Sequence, residues 1–132
     1  MSVEVRTADG IAEVIIDFPP VNALPARGWQ ELAAAVTAAG AEPATRTVIL
    51  VAEGHSFCGG VDIKEMQRTK GHDALLAASQ GCFAAFAAVY DCPVPVIAAV
   101  HGFCPPGLAP AITSEGGVIA ELRDGMTIGI GG

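Results

Sequence analysis

The sequence predicts an α/β fold in which at least some strands pair in parallel. Segments typical of strands and helices alternate along the chain in the order β, β, α, β, α, α, β. That alternation is characteristic of a sheet covered by helices. The segment 48–52 is continuously apolar, which is typical of a strand buried on both faces of such a sheet.

The composition indicates one small globular domain. A chain of 132 residues with 52% hydrophobic residues is long enough for a core and too apolar for disorder. The net charge of −7 and the lack of a basic stripe argue against nucleic-acid binding. The four cysteines have no zinc-site or C-x-x-C spacing. Without a signal-peptide pattern or an apolar run of about 18 residues, we expect a cytoplasmic protein with no membrane partner.

The chain begins with a predicted hairpin. Residues 3–6 alternate between apolar and polar side chains and meet a turn at Ala8–Gly10. Residues 11–17 form the second strand. Phe18–Pro20 ends that strand, because proline has no N–H to donate to a neighbouring strand.

A helix is predicted over 26–39, directly after Pro25, which suits the start of a helix. Gly40 is the predicted C-terminal cap. The third strand follows at 47–52. The apolar face of the helix has the spacing i, i+3, i+4, i+7: Trp29, Leu32, Ala33 and Val36.

The second half contains two predicted helices and a strand. A short helix spans 63–68, Gly71 interrupts it, and a longer helix spans 73–90. An apolar strand follows over 94–100. The predicted inner face of the longer helix holds its large apolar residues: Leu75, Leu76, Phe83, Phe86, Val89 and Tyr90.

The stretch Gly54–Met66 contains the main candidate binding site of the sequence. A strand leads into a turn with Gly59 and Gly60, and a helix leaves it with Asp62 placed to cap and Glu65 three residues on. Glycine allows a sharp turn and close approach of a ligand. Such a junction presents backbone N–H groups, so it predicts a main-chain site for an anion or a carbonyl oxygen.

Several side chains have two interpretations. Cys58 is either a reactive thiol beside a helix start or a small core residue. Asp62 and Glu65 either do acid–base work or cap the helix. His101 is either a base or a structural residue with a satisfied ring. Three basic residues either hold a phosphate or form a solvated helix face: Lys64, Arg68 and Lys70.

Three segments, in this order and spacing, resemble the crotonase (enoyl-CoA hydratase/isomerase) superfamily over residues 1 to about 104. They are Pro20–Leu24, Gly54–Met66 and Cys92–Cys104, the last with His101 in place of the usual asparagine. The resemblance implies an incomplete ββα spiral with a mixed or parallel sheet. It also implies a homo-oligomer, or pairing with a full-length relative.

The same resemblance implies that the chain binds an acyl-CoA thioester. The N–H groups of Val61 and Gly107 would form an oxyanion hole for the thioester carbonyl and stabilise an enolate-like intermediate. Family reactions include hydration, double-bond isomerisation, and C–C or thioester cleavage. No metal is implied, and no cofactor beyond the CoA of the substrate. Lys64 would lie near the CoA phosphates. Six residues would line the CoA: Asn22, Ala23, Leu24, Cys58, Gly59 and Gly60.

The sequence departs from the family pattern after residue 104. Pro105–Leu108 stands where the family has a glycine triplet, and Pro110 occupies the position of its first catalytic glutamate. Residues 119–132 instead resemble the start of a CoA-transferase α subunit. We therefore divide the chain into a crotonase-like part, 1–104, and a divergent tail, 105–132, fused or altered in frame.

An alternative function follows from these departures. The chain would be a truncated, catalytically inactive fragment that keeps a CoA-binding or subunit-pairing surface. In such a fragment we expect the apolar strand 94–100 to be exposed and to promote association.

Overall fold

The computed structural model describes residues 1–69, 71–103 and 118–121. Its elements follow the predicted order, with three short strands in addition that the sequence did not predict. The helices are α1 (Ala26–Ala41), α2 (Ile63–Arg68) and α3 (His72–Tyr90). The strands are β1 (Ser2–Ala8), β2 (Ile11–Asp17), β3 (Ala23–Leu24), β4 (Thr47–Ala52), β5 (Gly60–Val61), β6 (Val96–Val100) and β7 (Val118–Glu121).

Five strands form a mixed sheet in the order β1-β2-β4-β6-β7. The pair β1–β2 is antiparallel, and the pairs β2–β4, β4–β6 and β6–β7 are parallel. The short strands β3 and β5 pair separately. The predicted α/β class with a mixed sheet is confirmed.

The two strands whose bounds were predicted to the residue are β2 and β4. The β1–β2 turn is a tight hairpin in which Asp9 and Gly10 have φ angles of 53° and 81°. Positive φ at both central residues matches the right-handed twist of the flanking strands. Along β4, buried and half-buried residues alternate, so one face of this central strand is buried and the other, which was also predicted to be buried, is covered only in part.

Helix α1 buries the predicted face, but it continues past Gly40. Trp29, Leu32 and Val36 are buried and Ala33 is half-buried. Gly40 is buried within the helix, and Glu42 is the C-cap, so the predicted cap is wrong. A Cβ on Gly40 would lie 2.5 Å from the Cys92 sulfur, so close packing accounts for this glycine.

Helix α3 faces the core with its small residues, which makes most of the predicted inner set wrong. Its buried residues are Ala78, Gly81, Ala85 and Val89. Of the predicted set only Val89 is buried, and Phe86 is half-buried against the edge of Trp29 with ring centroids 6.1 Å apart. Small side chains let α1 come close. Four predicted core residues are exposed: Leu75, Leu76, Phe83 and Tyr90.

Four exposed large apolar residues therefore lie on α3 and none on β6. Strand β6 is paired with β4 on one side and β7 on the other, and four of its five residues are buried. The expectation of an exposed strand over 94–100 is wrong. Helix α3 has the length and hydropathy of a membrane-crossing helix, a combination that core helices of soluble proteins also show; here it packs along α1.

Strand β7 joins the same sheet as the N-terminal strands. Val118 pairs with Ile97 and Glu121 with Val100, in parallel. The rest of the tail, including the resemblance over 122–132, lies outside the described residues. The division of the chain at 104/105 therefore stays a prediction.

Candidate functional site

The short parallel pair β3–β5 brings two separate sequence motifs together. Ala23 pairs with Gly60, and Leu24 with Val61. Next to this pair, the Gly59 N–H donates to the Asn22 carbonyl at 2.9 Å. The residues predicted to line the CoA are thus adjacent, although the two members of each pair are 37 positions apart in the chain.

The Val61 N–H is directed away from β3. The next residue, Asp62, donates its N–H to the Leu24 carbonyl at 2.9 Å. Successive N–H groups along an extended chain point to opposite edges. Since the Asp62 N–H points to β3, the Val61 N–H points to the other edge of β5.

Two glycines make this arrangement possible. A Cβ on Gly59 would lie 2.8 Å from the Val21 carbonyl oxygen, so only glycine allows that approach. Gly60 has a φ of 89°, a conformation that side chains disfavour. Its N–H donates to the Cys58 sulfur at 3.4 Å. Cys58 is buried in the core, which supports the interpretation of a small core residue.

Asn22 holds the loop before β3 with its side chain. Its Oδ1 accepts from the Phe18 N–H at 2.6 Å, and its Nδ2 donates to the carbonyls of Glu53 and Ser56 at 2.7 Å each. The residue is buried and has a φ of 54°. All three bonds are internal, so any contact of Asn22 with CoA would come through the main chain.

Both carboxylates beside Val61 have structural partners. Asp62 Oδ1 accepts from the N–H groups of Lys64 and Glu65 at 2.9 and 3.2 Å, as the capping interpretation predicts. Glu65 Oε2 accepts from the Ala26 N–H at 2.8 Å. Glu65 therefore caps α1 and not its own helix.

An apolar groove of about 400 Å³ opens beside Val61, between α2 and α3. Burial raises the pKa of the Cys82 thiol in its wall, because a thiolate is poorly solvated there. The remaining wall is mainly apolar. The lining residues are Val61, Met66, Leu75, Ala78, Ser79, Cys82, Phe83 and Phe86.

A second, wider groove of about 800 Å³ lies between α1 and α3. Alanines make up most of its wall, and Cys92 and Pro93 lie at one end. It shares no residue with the Val61 groove.

The loops after β4 and β6 meet at the site. His101 Nε2 lies 2.9 Å from the Gly54 carbonyl oxygen, which supports its structural interpretation. The Phe57 N–H lies 3.0 Å from the His101 carbonyl oxygen and 3.1 Å from that of Phe103. Gly107 and Pro110 lie outside the described residues. The predicted second N–H donor of the oxyanion hole, Gly107, therefore stays a prediction.

The basic residues of α2 are exposed. Lys64 lies in the first turn, and Arg68 Nε donates to the Lys64 carbonyl at 3.2 Å. Lys70 lies outside the described residues. Lys64 is separated from Val61 by only Asp62 and Ile63 in the chain, and its side chain is exposed.

Two features were not predicted from the sequence: the hydrogen bond from the Ala26 N–H to Glu65, and the position of Cys82 in the wall of the groove beside Val61. For Glu65 one signal was present: α1 has no acidic residue in its first turn and no side-chain cap of its own. For Cys82 the sequence held no signal, because its position beside Val61 depends on how α2 and α3 pack.

Known proteins resemble most of this chain in sequence and in fold. The family model for enoyl-CoA hydratase/isomerase matches residues 6–110. A (7aS)-7a-methyl-1,5-dioxo-2,3,5,6,7,7a-hexahydro-1H-indene-carboxyl-CoA hydrolase of Mycobacterium tuberculosis is 66% identical over 95 residues, covering 72% of this chain and 38% of that protein. The protein of the same name from Rhodococcus jostii is 65% identical over 96 residues, covering 73% and 37%.

Among solved structures, an enoyl-CoA hydratase/carnithine racemase from Magnetospirillum magneticum superposes with a TM-score of 0.70 at 30% identity. That match covers 77% of this chain and 39% of the solved one. The chain thus spans less than two-fifths of the length of these relatives. It belongs to the enoyl-CoA hydratase/isomerase family.

Proposed function

We propose that the chain binds an acyl-CoA thioester and holds its carbonyl oxygen with the N–H groups of Val61 and Gly107. The observation that carries this proposal is the direction of the Val61 N–H, away from β3 and beside the apolar groove. A thioester carbonyl at this edge would place its acyl group in the groove. Each such donor contributes about 3–4 kcal/mol to stabilising a developing oxyanion.

The CoA portion would run along the β3–β5 pair. Ala23 and Gly60 lie opposite each other there, and the absence of a side chain on Gly59 lets the two segments approach closely. The exposed Lys64 would supply charge to a phosphate. Binding through these groups requires no metal.

The acyl group is proposed to be bulky and alicyclic. The hydrolases from M. tuberculosis and R. jostii are named for a bicyclic diketone CoA ester, and the apolar groove has room for more than a short chain. The proposed reaction is accordingly hydrolytic, assisted by the oxyanion hole. Hydration or isomerisation of an enoyl-CoA is the second candidate, supported by the family model.

Binding without turnover is the alternative for the 132-residue chain. The two carboxylates nearest to Val61 in the described part, Asp62 and Glu65, already accept hydrogen bonds at helix starts. A carboxylate that serves as a cap is poorly placed to move a proton on a substrate. In this form the chain acts as a CoA-binding partner of a second copy or of a full-length relative, in the cytoplasm.

Protection of Cys82 from alkylation tests the binding site. The purified chain is treated with iodoacetamide, with and without saturating crotonyl-CoA or a bicyclic acyl-CoA, and labelling is read by mass spectrometry. We expect several-fold slower labelling of Cys82 with acyl-CoA, because its thiol lines the groove. Since burial raises the pKa of the Cys82 thiol, the rate of Cys82 labelling without ligand should rise with pH into the alkaline range.

Cys92 is the internal control, because it lies in the other groove, and free CoA is the control for the acyl group. Equal labelling of Cys82 with and without every acyl-CoA would contradict the proposal. Chromatography of the acyl-CoA from the same incubation, which detects a hydrated, isomerised or hydrolysed product, separates turnover from binding alone. Consumption of either ester indicates turnover, and protection without consumption indicates binding alone.

A further inference from the structure

Glu65 connects the two main-chain segments that build the site. Its carboxylate, in the first turn of α2, accepts from the Ala26 N–H at the start of α1, 39 positions away in the chain. Pro25, the N-cap of α1, makes no side-chain cap bond. The first turn of a helix has N–H groups without internal partners. Helix α1 therefore obtains its acceptor from α2.

Asn22 makes the matching connection at the other end of β3. Its side chain bonds to the carbonyls of Glu53 and Ser56, in the loop that leads to β5. Asn22 and Glu65 thus bracket the β3–β5 pair, which is only two residues long. So short a ladder is marginal by itself. These two side chains therefore tie β3 to the segment around β5 on both sides of the ladder.

We propose that Glu65 is a positioning residue for the Val61 N–H, through its hydrogen bond to the Ala26 N–H. This inference rests on the proposed function in one respect only, that the Val61 N–H contacts a thioester carbonyl. The required property of Glu65 is reach: an acceptor oxygen at the end of two methylene groups. The negative charge of Glu65 is secondary. Glutamine should therefore preserve the hydrogen bond to the Ala26 N–H, and aspartate, which is one methylene group shorter, should lose it.

Amide hydrogen exchange tests this role without a ligand. The reporter is the Asp62 N–H, which bonds to Leu24 across β3–β5. We expect exchange at Asp62 to be at least about tenfold faster in Glu65→Asp and Glu65→Ala than in wild type, and within about threefold of wild type in Glu65→Gln. The Gly59 amide, beside Asn22, should change much less.

Ala34→Gly is the matched control, because it weakens α1 at an exposed position and leaves the Ala26–Glu65 bond intact. The inference is overturned if exchange at Asp62 in Glu65→Asp is no faster than in this control. It is also overturned if Glu65→Gln behaves like Glu65→Ala, because charge and not reach would then be required. The aspartate and glutamine variants decide the matter even if Glu65→Ala fails to fold.

A pair of ligands separates this inference from the proposed function. Butyryl-CoA has the thioester carbonyl, and S-butyl-CoA, its thioether, does not. We expect wild type and Glu65→Gln to prefer the thioester by about tenfold in Kd, and Glu65→Asp to lose that preference. A wild type that binds neither ligand, or both equally, contradicts the proposed oxyanion contact, while the exchange data still decide whether Glu65 positions β5. An unchanged preference in Glu65→Asp contradicts the inference alone.

Discussion

Asn22 shows how a residue identified from a binding motif can have a structural task. Its position before Ala23 and Leu24 resembles a family segment near the CoA, yet its three polar contacts are all internal. Two of those partners are 31 and 34 positions away. A sequence motif cannot reveal bonds of that range, so its structural role could be found only in the fold.

Replacing Asn22 should destabilise the chain strongly. Asn22→Ala removes three hydrogen bonds, leaves buried polar groups unpaired, and places alanine at a φ of 54°. We expect a loss of about 2–4 kcal/mol in the free energy of unfolding, measured by urea denaturation. Val21→Ala, an exposed neighbour, is the control and should cost less than about 0.5 kcal/mol. A similar midpoint for both variants would show that the Asn22 bonds contribute little.

At the scale of elements, the sequence predicted β2, β4 and the inner face of α1, but not the inner face of α3. The turn at Ala8–Gly10 and the prolines after Phe18 bounded β2, and the apolar run 48–52 identified β4. On α3, reasoning that placed large apolar residues inside selected the wrong face. Contact with α1 requires Ala78, Gly81 and Ala85, and the sequence alone cannot specify how close two helices come.

Gly81→Ala tests that close contact. Alanine favours a helix by about 1 kcal/mol over glycine, but a Cβ here would lie 3.0 Å from both the Ala26 carbonyl oxygen and the Trp29 Cβ. Overpacking costs about 1–3 kcal/mol, so we expect a net loss of up to about 2 kcal/mol in thermal or urea unfolding. Gln80→Ala, exposed on the same turn, should leave stability unchanged or slightly higher. A stabilised Gly81→Ala would mean that the helices can move apart at little cost.

At the scale of the whole molecule, strand β6 is enclosed within the sheet, whereas helix α3 exposes large apolar side chains. β6 lies between two strands, while Phe83 and Tyr90 are 75% and 68% exposed. Together with Leu76 they recur every seven residues, which places them along one side of the helix. The sequence predicted association, but it assigned the exposed surface to the strand, because it assumed that the large residues of α3 were buried.

The spacing of this exposed side suits a second copy of α3 in antiparallel orientation. Phe83 is the midpoint between Leu76 and Tyr90, so a two-fold axis at Phe83 would pair each Leu76 with the Tyr90 of the other copy. Burying Phe83 contributes about 1.5–3 kcal/mol per copy. We therefore expect Phe83→Lys to raise the Kd of self-association by more than about tenfold in sedimentation velocity over a concentration series.

The control is Gln67→Lys, at an exposed position of α2, because it adds the same charge outside α3. Either change brings the net charge of −7 closer to zero and so reduces repulsion between copies. Weaker association of Phe83→Lys alone would then report the lost apolar contact, whereas a monomeric wild type, or equal association of both variants, would exclude α3 as the interface.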